Sequence, residues 1–151
     1  MEIWDIKRRI RNNRNAIEQN NDELKRVEKA YDSLTRFKTK VLNTQDAFSG
    51  ANGRKCRKLE NVKKITDTSL TAEKYYSGMN DILNNVGVRL LNKVFNNLIS
   101  SITAKISSYK NSVNDLENAN SRMRVRIAEL ELMLREEEEK ARIIANGGMQ
   151  I

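Results

Sequence analysis

The chain has 151 residues, of which 32% are charged and 5% aromatic, and it carries a net charge of +8. Such a composition does not build a thick globular core, and with no proline little in the sequence stops a helix. Histidine is absent and Cys56 is the one cysteine, which removes the common zinc ligand sets, the neutral-pH proton shuttle and any intrachain disulfide. No apolar run approaches the roughly 20 residues of a membrane span. The N-terminus mixes Ile3, Trp4, Ile6 and Ile10 with Asp5 and basic residues, unlike a signal-peptide core. The expectation is a cytoplasmic, non-catalytic protein without cofactor or metal, because the carboxylates scatter over helix surfaces and no spacing marks an acid–base pair.

Taken in chain order, Ile3, Ile6, Ile10, Asn13, Ile17, Asn20, Leu24, Val27, Tyr31, Leu34, Lys38 and Val41 alternate steps of three and four. This is a heptad seam whose polar defects are Asn13, Asn20 and Lys38, and it predicts a helix over residues 2–46, roughly 65 Å long. The segment NTQDAFSGANG follows, and Gly50 and Gly53 mark a turn over 47–53. A second helical half is expected over 54–145, with Cys56, Leu59, Val62 and Ile65 on one face. Interruptions are expected near 66–71, where strong helix formers are scarce, and near 87, at Gly87. Tyr76, Met79, Leu83, Val86 and Leu90 restore the period.

The last seam has the most regular period: Phe95, Ile99, Ile102, Ile106, Tyr109, Val113, Leu116, Asn120, Met123, Ile127, Leu130 and Leu134 alternate without a skip. Asn120 falls at an a position, where one buried amide typically sets register or partner number at some cost in stability. Glu136 with Lys140 and Glu138 with Arg142 are spaced for i, i+4 ion pairs, and Gly147 and Gly148 mark the end of the helix. The whole reads as a single all-α domain over 1–151, an elongated antiparallel helical hairpin or coiled coil.

Two pairings of the seams are compatible with this pattern. Immediate reversal at 47–53 is favoured by loop length. It exhausts the first helix near Leu98 and leaves Ile99, Ile102, Ile106, Tyr109, Val113, Leu116, Asn120, Met123, Ile127, Leu130 and Leu134 as a docking surface for a partner helix. The competing pairing sets the first seam against the last and makes 48–88 an inserted helical head. The basic clusters Lys7, Arg8, Arg9, Arg11 and Arg14, and Arg54, Lys55, Arg57 and Lys58, lack interleaved aromatics or a reading motif. They read as solvated flanks of amphipathic helices, and nucleic acid is not the expected partner.

A long helix, an aromatic-x-Gly at Phe48, Ser49 and Gly50, and a long second helical half resemble the WXG-type helical hairpins of type VII secretion. The closest likeness is to the small helical proteins that accompany LXG toxins in Gram-positive bacteria. The resemblance implies a targeting or chaperone partner that binds the helical N-terminal domain of an LXG toxin, together with another small WXG-like protein, and is co-secreted with it or remains behind. The chain departs from the pattern in having Phe48 for tryptophan. It also lacks a Tyr-x-x-x-Asp/Glu signal, since Thr35, Met79, Asn80 and Val113 stand four residues after its tyrosines. This suits an adaptor better than an independently exported substrate. The alternative is a homo-oligomeric coiled-coil scaffold.

Overall fold

The computed structural model describes residues 2–64 and 70–147. The protein is all-α, a helical hairpin-like fold built from α1 (Ile3–Lys63), α2 (Leu70–Asn84) and α3 (Val86–Gly147). No strand occurs among the described residues. Two compact units are formed: the first from Met1–Tyr31 with Ser108–Ile151, the second from Asp32–Ser107.

In the first unit the opening of α1 lies antiparallel to the end of α3. Lys7 pairs with Glu138 at 2.7 Å, and seven residues on, Arg14 pairs with Glu131 at 2.7 Å, seven residues back. Each step is one heptad, so both helices keep one face toward the other. Ile6, Ile10 and Leu130 form the buried centre, with Ile127, Met133 and Leu134 packed around it. The expected pairs of Glu136 and Glu138 are replaced. Lys140 takes Glu137 and Arg142 takes Glu139, each three residues away; Glu138, the partner expected for Arg142, is engaged across the helices by Lys7.

The second unit corrects the expected turn. Residues 47–53 are helical and α1 continues to Lys63, so the first helix does not stop at 46 and Phe48, Gly50 and Gly53 form no turn. None of the described glycines has a positive φ. Two glycines inside a helix cost roughly 1 kcal/mol each relative to alanine, and tertiary contacts offset that cost. The Phe48 ring packs on Phe95 with centroids 6.3 Å apart, Gln45 donates to the Asn96 side chain at 3.0 Å, and Asn52 donates to the Leu83 carbonyl at 3.2 Å. That carbonyl lies in the last turn of α2, where intrahelical donors have run out.

The helix break expected near 87 occurs at Asn85. Its side-chain oxygen accepts from the Gly87 N–H at 3.1 Å, and its carbonyl accepts from Val88 and Arg89. Asn85 is therefore the N-cap of α3, satisfying a donor that no preceding turn can reach. The interruption expected near 66–71 falls largely outside the described residues; α1 ends at Lys63 and α2 starts at Leu70.

Candidate functional site

The last seam has an intrachain partner. Leu130 and Ile102 are buried, and Ile99, Ile106, Tyr109, Val113, Leu116, Met123, Ile127 and Leu134 are half-buried. They do not form the open docking surface expected from immediate reversal. The physical reason is the length of α1: it passes straight through 47–53 to Lys63, so the reversal expected there does not occur, and Phe48 packs on Phe95 of α3 instead of closing a turn.

Asn120 is 3% exposed and sits in a short amide chain. Asn20 donates to its side-chain oxygen at 2.9 Å, and its own NH₂ donates to Asn21 at 3.0 Å. The two seam positions that look like defects in the sequence, Asn20 and Asn120, are thus brought together. Hydrophobic residues on either side would tolerate a slip of one heptad, and the amides would not.

With the seams occupied, the apolar surface still open to solvent lies elsewhere. In the second unit, Val86, Leu90, Leu91, Val94 and Leu98 are exposed on α3, the first at 63% and Val94 at 59%. Counting heptads back from Ile99, they occupy b, f, g, c and g, the face turned away from the seam. Sequence reasoning placed Val86 and Leu90 in one period with Tyr76, Met79 and Leu83. The break at Asn85 resets the phase, and beyond it the inward positions are Val88, Asn92, Phe95 and Ile99. The signal that could have found the outer stripe is its own four-three-four spacing, Gly87, Leu91, Val94 and Leu98, running beside the inner seam.

A groove of about 300 Å³ lies between the end of α1 and α2, lined by Lys55, Lys58, Leu59, Val62, Tyr75, Met79, Ile82 and Leu83. A neighbouring hollow of about 230 Å³ shares Lys55, Ile82 and Leu83 and adds Phe48, Ala51, Asn52 and Val88. Leu83 and Leu59 form the buried floor, while Ile82 and Tyr75 are more than half exposed. Cys56 stands beside this region, half-buried, its sulfur 3.9 Å from the Asn84 side-chain oxygen. It belongs to α1, not to a separate second helix beginning at 54.

Charge is unevenly divided. Residues 32–107 hold thirteen Lys and Arg against six Asp and Glu, so the second unit carries +7 of the chain's +8; in the first unit fifteen face fourteen. In the first unit the charges are matched in space as well, through Lys7–Glu138, Arg14–Glu131, Arg26–Glu23 and Arg126–Glu129. Glu137 and Lys140 hold each other ionised: their hydrogen bond lowers the carboxyl pKa and raises that of the amine. Trp4 is exposed, and Arg8 lies over its ring at 4.6 Å.

Among the described residues no group of three potential ligands could hold a metal ion, and no helix is long and apolar enough to cross a membrane. Comparison with known protein families, with curated proteins and with solved structures gives no match.

Proposed function

We propose that the chain is a non-catalytic helical adaptor that holds a partner helix against the outer face of α3, and that this partner is the helical N-terminal domain of an LXG-type toxin bound for type VII secretion. The observation that carries the adaptor reading is the stripe of Val86, Leu90, Leu91, Val94 and Leu98, left open while both long seams are filled. Contiguous exposed apolar side chains at helical spacing suit the groove-and-helix mode of recognition. The toxin assignment rests on the resemblance of the helical architecture, since Phe48, Gly50 and Gly53 do not form the turn that the WXG pattern requires.

The stripe alone is a weak site. Full burial of an aliphatic side chain contributes roughly 1.5–3 kcal/mol, so five that are about half exposed retain on the order of 4–7 kcal/mol together. Association costs an estimated 4–15 kcal/mol. A stable complex therefore needs contacts beyond the stripe.

Coexpression with the N-terminal helical domain of an LXG toxin from the same host tests the reading, and a host that encodes no such toxin removes the assignment outright. A complex should form, and Leu90→Asp with Val94→Asp should abolish it without loss of helicity. Absence of a complex removes the toxin assignment. If the chain instead assembles into a defined homo-oligomer through the same stripe, the scaffold is the right function.

A further inference from the structure

The groove between α1 and α2 says more about what such a partner must look like. Its floor, Leu59 and Leu83, is apolar, its open wall is Ile82 and Tyr75, and its rim is Lys55 and Lys58, one helical turn apart. Among the described residues no carboxylate lies within ion-pair distance of either lysine, nor of Arg54 and Arg57 beside them. The unit that bears the groove holds nearly all of the chain's net positive charge.

We infer that this groove is a binding site for an acidic amphipathic helix, whose apolar residues enter beside Ile82 and whose carboxylates at the flanking positions meet Lys55 and Lys58. The inference rests on the adaptor reading and adds the chemistry of the occupant.

Charge decides against a second copy of this chain. Two such units would each bring +7 to the contact. In the acidic run Glu136–Glu139 of the first unit, three of the four carboxylates are already engaged, Glu137 by Lys140, Glu138 by Lys7 and Glu139 by Arg142. Shape decides against a lipid surface. A concave, two-walled groove with cations at its rim accepts a row of side chains, whereas interfacial binding requires a convex apolar face with its cations set back from it. A helix with Leu or Ile every three or four residues and Glu or Asp beside them satisfies the apolar floor and the unmatched cations together.

The test uses the full chain and fluorescein-labelled peptides about three heptads long, read by anisotropy. One carries Leu on its apolar face with Glu flanks, the second has Lys in place of each Glu, and the third is a scramble. The Glu peptide should bind, with an affinity that falls as salt rises, and the Lys peptide should bind about tenfold more weakly or not at all. Lys55→Glu with Lys58→Glu should reverse that preference, and Ile82→Ser should weaken both peptides. Lys25→Glu with Lys29→Glu, on the exposed face of the first unit, should change neither, and circular dichroism should show every variant folded.

Equal binding of the Glu and Lys peptides, or indifference to the Lys55 and Lys58 reversals, overturns the acidic groove. Binding to phosphatidylglycerol vesicles through those lysines, with no peptide binding, assigns the site to a membrane instead. If the toxin domain binds and only Leu90→Asp with Val94→Asp disturbs it, the adaptor stands and this inference alone fails. If neither peptide nor toxin domain binds, both fail.

Discussion

Replacing Gly50 and Gly53 together by alanine tests the feature on which the position of the docking surface depends, the passage of α1 through 47–53. A Cβ built at Gly50 comes to 3.5 Å from the tip of Arg54, and one at Gly53 to 3.8 Å from the tip of Arg57, ordinary contacts with flexible side chains. Neither glycine has a positive φ, so alanine is accepted without strain. Each substitution then recovers most of the roughly 0.8–1.0 kcal/mol by which glycine disfavours a helix interior. The pair should stabilise this region by about 1.5–2 kcal/mol. For a chain of this size that corresponds to a rise of roughly 3–8 °C in melting temperature if unfolding is cooperative. Thermal melts followed at 222 nm measure the sum, and amide exchange over 47–57 reports the local gain. A turn with glycine in the left-handed region gives the opposite sign, a loss of about 1 kcal/mol or more per alanine. A fall in stability would refute the continuous helix and return the last seam to the list of open surfaces.

Asn85→Ala should cost about 1 kcal/mol by removing the cap of α3, visible as faster amide exchange at Gly87 and Val88; an unchanged rate there would sink the cap assignment. Asn120→Leu should destabilise by about 1–3 kcal/mol because it strands the Asn20 amide, whereas adding Asn20→Leu should recover much of the loss in denaturant melts and allow the helices to slip. Lys140→Met should raise the midpoint at which Glu137 takes up a proton, read by NMR. In the intact pair the carboxyl titrates below its usual range, so the ion pair contributes above that range and is lost as pH falls through the lowered midpoint.

The helical class was legible because the chain lacks proline and keeps two long three-four periods, and those periods remain the interior of both units. What misled was the local signal of Gly50 and Gly53. Propensity is a weak prior, and the heptad positions Gln45, Phe48, Asn52 and Leu59 continue the first seam straight through them. Giving weight to period over breaker would have reached the pairing of first seam with last, and with it the contact of Asn20 and Asn120. The outer stripe on α3 was less accessible. Its residues share a segment with an inward seam, and only the phase reset at Asn85 tells the two apart. The groove joins residues that are far apart in the chain, Lys55 and Ile82 among them, so no window along the sequence contains it.

A single non-helical residue, Asn85, separates α2 from α3. The orientation of α3 about its own axis is fixed by the contacts of its inner face with α1, through Phe95 on Phe48 and Asn96 to Gln45. One residue corresponds to about 100° of helical rotation. Gaining or losing a residue at this joint would therefore turn α2 beneath a stationary α3, carrying Tyr75, Met79 and Ile82 round while the stripe from Val86 to Leu98 stayed where it is. The length of the joint therefore sets which side chains of α2 line the groove, including the buried Leu83, separately from the contacts that set the face of α3.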